Sequence, residues 1–326
     1  MNLDSKLKVG LAQISPVWLN KERTIDKIEQ YINQAAEKAC ELVIFGEAFL
    51  PGYPFWISLT QASQFNSSLQ KEIHAHYVRN SIQIEAGELD SICQTAKNKK
   101  IAVYLGIIER AKDRGGHSLY CSLVYINSNG VIQSVHRKLQ PTYEERLSWS
   151  PGDGKGLQVH SLKNFTVGGL NCWENWMPLA RTALYGQGEN LHIAVWPGTR
   201  ENTSDITRFI ARESRSFVIS VSGLMSKKDF PENTPHLDKI LENAPDILAN
   251  GGSCIAGPDG EWIIPPVMDE EKIITADLDF NRVLEERQNF DPVGHYSRPD
   301  VTQLIVNRKR QTSVQFKDYK NNKHEK

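Results

Sequence analysis

A layered α/β sandwich, one sheet packed on a second with helices outside, is the fold class the sequence predicts. Strand-like and helix-like patterns alternate along most of the chain. Two hairpin signals, Asn129-Gly130 and Asp259-Gly260, are mixed with crossover helices, and that mixture calls for two stacked sheets. The chain is also large enough: its 326 residues, 40% hydrophobic and 24% charged, match globular averages and suffice for one large α/β domain or two ordinary ones.

Taken in order, "KLKVGLAQIS" alternates apolar and polar residues as a strand does. The following segment sets Ile25, Ile28, Ile32, Ala35 and Ala39 on one helical stripe. "LVIFGE" is a short apolar run of the buried-strand kind. Pro51, Gly52 and Pro54 then stop regular structure in a long loop. A helix over about Leu89 to Lys99 precedes the strand "IAVYLGIIER", and the hairpin ending "VHRK" comes next. "FTVGGLNC", a helix after Pro178, "LHIAVWPG" and "FVISVSGL" continue the alternation. A second hairpin and the strand "KIITADLD" complete it. From Arg310 onward the chain is polar and lysine-rich and reads as a mobile tail. No internal repeat is found at periods of 20 to 50 residues.

The formal net charge of -1 gives no electrostatic reason to expect nucleic acid or an anionic membrane, so the expected ligand is small or neutral. No run approaches the roughly 20 apolar residues of a spanning helix, and the N-terminus lacks the apolar core of a signal peptide. The five cysteines are widely spaced, with no CxxC pair for zinc or a redox dithiol. These features lead to the expectation of a reduced, cytoplasmic, soluble protein.

Cysteine is most often a small buried hydrophobe. Cys172, however, ends a strand and is followed by a turn into a helix, where backbone N–H groups favour a thiolate. A free thiol with pKa about 8.5 still needs a base or a cation beside it. His192, the nearest downstream histidine, sits mid-strand and reads as a satisfied core residue. His74 and His76 lack carboxylate or thiol companions and read as a surface helix rather than a metal site. There is no GxSxG elbow or P-loop, and "GDGKG" lacks the strand and helix that a dinucleotide fingerprint needs. Glu47, at the end of a buried strand, is costly unless paired or working. Lys138 follows a hairpin strand, with Glu144 and Glu145 close behind.

Three segments, "FGEAFLPGYP", "HRKLQPTYEERLSW" and "NCWENWMPLAR", resemble the signature segments of the nitrilase (carbon-nitrogen hydrolase) superfamily, in the family's order. The likeness runs from "KVGLAQISP" to "FDPVGHYSRPDV", and its variants are most similar to the nitrilase branch. Gly46 departs from the family, many of whose members have proline there; it shapes the approach to Glu47 and does no chemistry.

The resemblance implies a four-layer α-β-β-α sandwich in a single domain, residues 1–285. An extension, 286–326, would hold an interface segment and then the tail. It implies Glu47 as general base, Lys138 as cationic stabiliser and Cys172 as nucleophile, with no metal and no cofactor. Glu145 would help position substrate. The backbone N–H of Trp173 would support the developing charge. Tyr53, Trp149, Trp173 and Trp176 are candidate pocket walls. The implied substrate is a nitrile, and the implied assembly is a homodimer extending to a spiral homo-oligomer. An amidase or N-carbamoyl hydrolase could use the same three residues, and a catalytically silent scaffold would keep the fold with a buried, unreactive Cys172.

Overall fold

The computed structural model describes residues 5–314 and residue 317. In the first half, β1 (Lys6–Gln13) leads through α1 (Lys21–Glu37) to β2 (Leu42–Phe45). Then come α2 (Trp56–Leu59), α3 (Ser68–Asn80), α4 (Asp90–Lys99), β3 (Ala102–Arg110) and the hairpin of β4 (Leu119–Ile126) with β5 (Ile132–Arg137). The second half comprises β6 (His160–Leu162), β7 (Phe165–Asn171), α5 (Pro178–Tyr185), β8 (Leu191–Trp196), α6 (Arg200–Ser214) and β9 (Phe217–Ser222). It continues through β10 (Leu224–Ser226), α7 (Leu237–Asn243), β11 (Ile247–Ala256), β12 (Trp262–Met268), β13 (Lys272–Asp279) and α8 (Asn281–Arg287).

One sheet has the order β13-β1-β2-β3-β4-β5 and the other β10-β11-β9-β8-β7-β6, with β12 also paired to β11. At the centre of each the strands run parallel: β1, β2 and β3 in the first, β7, β8 and β9 in the second. Antiparallel strands flank them, and β13 returns to pair with β1 along its whole length.

The layers follow from the two-residue period of the strands. Leu42 and Ile44 of β2 point between the sheets and pack with Val167, Ile193 and Ile219. Val43 and Phe45, one residue out of phase, point away and pack with Ile28 and Ile32 of α1 and with Ile92 and Ala96 of α4. In the second sheet Ile193 and Val195 face inward, whereas Ala194 and Trp196 face outward against Ile206 and Ile210 of α6. Strands apolar on both faces must be covered on both, and the result is the α-β-β-α sandwich. On α1 the buried stripe is Thr24, Ile28, Ile32 and Ala35. Ala39, expected on it, lies beyond the helix end with φ +60°.

Helix α8 runs across residue 285, and Arg287 donates to the Glu189 carbonyl at 2.6 Å. Arg310 Nη1 and the Gln311 N–H both donate to the Asp153 carboxylate, so the first residues of the polar tail are tied to the body. Residues 315, 316 and 318–326 of that tail lie outside the described residues.

Candidate active site

Glu47, Lys138 and Cys172 each stand just beyond the C-terminal end of a strand, the rim at which open α/β sheets bind ligands. Glu47 follows β2, and its N–H donates to the Trp196 carbonyl of the opposite sheet at 3.3 Å. The turn that carries it lies directly on Gly106 of β3, where a Cβ would stand 2.1 Å from the Gly46 oxygen. Lys138 follows β5; its N–H continues the ladder to the Cys121 carbonyl at 2.8 Å, and its own carbonyl accepts from Gly152 N–H at 2.7 Å. Cys172 follows β7 and opens the single turn Cys172–Trp176 with φ +46°. Ala48 and Tyr143 also have positive φ, at +50° and +40°. Left-handed conformations cost a non-glycine residue about 1–3 kcal/mol each, and three of them flank the chemistry of this rim.

The Lys138 ammonium donates to Glu47 Oε1 at 2.9 Å and to Glu145 Oε2 at 2.7 Å. One oxygen from each of these carboxylates and Cys172 Sγ lie within 4.8 Å of one another. All four side chains are buried, Cys172 being 2% exposed. The acid, the cation and the thiol therefore share a single solvent-poor cluster.

Burial, opposed by Lys138 and reinforced by Glu145, pushes the Glu47 carboxyl up to about 7. Burial likewise raises the Cys172 thiol well above its ordinary value; Glu47 adds to that, while Lys138 and the Trp173 N–H work against it. For Lys138, burial favours loss of the proton, but Glu47, Cys172 and Glu145 outweigh it and hold the ammonium charged. At rest the site thus holds a protonated thiol, a firm cation and a carboxyl poised to exchange a proton at neutral pH. Glu47 Oε2 has no hydrogen-bond partner among the described residues.

A family model described as carbon-nitrogen hydrolase matches residues 8–288. The chain belongs to the carbon-nitrogen hydrolase family. It is 36% identical to a protein named Nitrilase 2 from an unknown prokaryotic organism, over 96% of each chain. It is 34% identical to an aliphatic nitrilase of Sinorhizobium fredii (strain HH103), covering 95% of this chain and 98% of the relative. With Nitrilase 1 of Arabidopsis thaliana it shares 35% identity over 95% of this chain and 89% of the relative. Among solved structures, a carbon-nitrogen hydrolase from Helicobacter pylori G27 has a TM-score of 0.63 at 20% identity, covering 90% and 96% of the two chains. An amidase from Nesterenkonia sp. has a TM-score of 0.62 at 18% identity, covering 88% and 95%. These two likenesses carry the sandwich fold.

Other residues of this hydrolase surround the acid–cation–thiol group. The Tyr53 hydroxyl donates to Glu145 Oε1 at 3.0 Å, and Glu145 Oε2 also accepts from the Thr142 N–H. Trp149 lies with its ring 5.5 Å from the Lys138 ammonium, edge-on to Tyr53, and donates its indole N–H to the Tyr77 hydroxyl. Trp173 contributes its backbone N–H to the Cys172 sulfur, while its side chain is 51% exposed. Trp176 is placed elsewhere: it is 43% exposed and lines a surface groove with Phe209 and Phe290. The sequence signal for Trp176 was only its nearness in the chain to Cys172, and the intervening tight turn carries it to the surface.

Several supporting residues escaped the sequence reading. Cys121, on β4, has its sulfur 3.6 Å from Glu47 Oε1. Asn175 donates to the Cys172 carbonyl at 2.8 Å, and its own side-chain oxygen meets His192 Nε2. His192 is the buried, partnered core residue expected, with Glu189 at its other ring nitrogen. Glu174 was visible as part of "CWEN" but carried no assigned role. Arg181 pairs with Glu213.

Proposed function

We propose that this hydrolase converts a nitrile to the carboxylic acid and ammonia through covalent intermediates on Cys172. The observation that carries the reading is the Lys138 ammonium bound between Glu47 and Glu145, with the Cys172 sulfur within 4.8 Å of both carboxylates. A buried thiol that stays protonated needs a base at the moment of attack, and Glu47, pushed up to about 7, has the affinity to act as one.

Glu47 takes the thiol proton as the sulfur adds to the nitrile carbon, and the C≡N nitrogen becomes a thioimidate nitrogen as it gains that proton. Lys138 and the Trp173 N–H offset the negative charge that develops there; losing one such donor typically costs about 3–4 kcal/mol of barrier. Water, deprotonated by Glu47, adds to the thioimidate carbon. The C–N bond breaks, ammonia leaves with the transferred protons, and a thioester remains. A second water cleaves the C–S bond, releasing the acid and returning the proton to the thiol. Two waters are consumed for each acid and ammonia formed. Glu145, held by Tyr53 and the Thr142 N–H, keeps the ammonium aimed at the reacting nitrogen. Lys138 fills the place between the carboxylates where a metal cation would sit, and the sequence needs no cofactor for these steps.

A panel of aliphatic, aromatic and arylacetonitriles, scored by ammonia release and product identity beside the matching amides, tests the reading. Nitrile turnover to acid is expected, lost in Cys172→Ala. Turnover of amides with no turnover of nitriles would remove it in favour of an amidase, and release of amide alone would mark a hydratase outcome.

The same reading places a hydrolase domain at residues 1–285, an extension after it, and the protein in the cytoplasm, in keeping with five free thiols. Among the described residues no helix is long and apolar enough to cross a membrane. A homodimer, extending to a spiral assembly, accounts for the exposed Trp173, Trp176, Leu179 and Phe209. Size-exclusion chromatography giving only a 36.9 kDa species would count against it.

A further inference from the structure

Lys138 and Cys172 belong to different sheets, the first beyond β5 and the second beyond β7. The two strands are not neighbours in either sheet, so no backbone ladder sets the distance between the ammonium and the sulfur. A buried side chain spans the gap. Glu174 Oε1 accepts from the N–H of Leu139, the residue after Lys138, at 2.6 Å. Glu174 Oε2 accepts from the N–H of Asn171, the residue before Cys172, at 2.9 Å. His136 Nε2, two residues before Lys138 and on the same face of its strand, lies 3.1 Å from both oxygens.

We infer that Glu174 is a positioning residue, a carboxylate bracket that sets the spacing of Lys138 and Cys172 by committing one oxygen to each chain segment. Its chemistry suits the task. A carboxylate is all acceptor, so it takes an N–H on each side without offering a donor to either. Burial opposes its charge, yet His136 and the Leu139 and Asn171 N–H groups hold its carboxyl below the usual range. Charge-assisted bonds of this kind are short and directional, which is what fixing a distance requires. The bracket sits behind the reacting atoms and touches neither. The assignment rests on Lys138 and Cys172 being the reacting pair.

Glu174→Gln separates this role from simple packing, because it keeps the volume but turns an NH2 toward one of the two backbone donors. The turnover readout is kcat and KM per competent site, counted by iodoacetamide titration of Cys172. The second readout is the pH profile of Cys172 alkylation, which needs no substrate and so stands even if the nitrile reading fails. The expected result is a fall in kcat of about 10²-fold, the typical cost of a 1 Å misplacement, with KM changed by less than about threefold. The alkylation profile should move to higher pH, because Lys138 would stabilise the thiolate less. Loss of a negative charge alone would move it the other way, so a downward shift overturns the proposal. Unchanged kcat per competent site with an unshifted profile overturns it too. Should Glu174→Gln not fold, His136→Leu, which removes a donor on the lysine side, is expected to shift the profile upward. His136→Gln, which keeps a donor, should restore it, and identical profiles for the two would also sink the bracket.

Discussion

The Tyr53 hydroxyl donates to Glu145 Oε1 at 3.0 Å, while the other oxygen of that carboxylate receives the Lys138 ammonium at 2.7 Å. A loop after β2 is thereby joined to the lysine through one acidic side chain. Tyr53→Phe deletes the donor but keeps the edge-on packing of the ring against Trp149. A hydrogen bond to a charged group contributes about 1.5–3 kcal/mol to stability, so the thermal midpoint should fall, and kcat should fall with it because Glu145 loses its anchor. Steady-state kinetics beside a melting curve checks this; undiminished kcat would leave Glu145 without its supposed support.

Activity should rise with pH through about 7 on the acid side, because Glu47 must be ionised in the free enzyme to accept the thiol proton. The same shift has a stability consequence of definite sign. In the unfolded chain the carboxyl ionises near its ordinary value of 4.5, whereas in the fold it holds its proton to about 7. Its contribution to stability is therefore complete below about 4.5, is lost as pH rises toward 7, and is flat beyond. A profile of kcat/KM against pH, with denaturant unfolding at matched pH values, measures both; an acid limb near 4 would contradict the burial argument.

Lys138→Ala should abolish turnover and leave Glu47 and Glu145 facing each other in a buried site without their cation. Breaking a buried ion pair from one side typically costs about 3–5 kcal/mol. Because protonation relieves two adjacent carboxylates, the loss of stability should be larger at pH 8 than at pH 5. Thermal melts of mutant and wild type at the two pH values read this directly.

Gly106→Ala should disturb Glu47 from behind. The added methyl would meet the Gly46 oxygen at 2.1 Å and the Ala48 nitrogen at 2.8 Å, both backbone atoms that cannot swing aside. Overpacking of this kind costs about 1–3 kcal/mol, and kcat should drop with it because the displaced turn carries the base. A variant as active and as stable as wild type would show that the turn has slack.

The legibility of the site differed from residue to residue. Glu47, Lys138 and Cys172 could be named from the chain because each occupies a short segment whose residue types carry a family likeness. Tyr53 and Trp149 could be nominated by their nearness to Glu47 and Glu145, and both lie against the lysine–glutamate group. Trp176, equally near Cys172 in the chain, lies in a surface groove instead, since within a single tight turn the side chains fan out in several directions and chain distance ceases to predict facing. Cys121 was unreadable for a different reason: its sulfur meets Glu47 only because of the register of β4 against β3, a long-range pairing.

By itself, then, the amino-acid order determined the layering and most of the local elements, though not the short α2, α7, α8 and β10. A strand apolar at both phases of a two-residue period demands cover on each face, and that demand is written within a few consecutive residues. Only the tertiary structure decided that a carboxyl from one strand end, an ammonium from a hairpin and a thiol from the opposite sheet meet in one buried cluster, and that Glu174 ties two of their segments together. It also decided how tightly each group holds its proton. Distance and desolvation are properties of the packed assembly of elements, and no stretch of sequence contains them until the sheets have closed on each other.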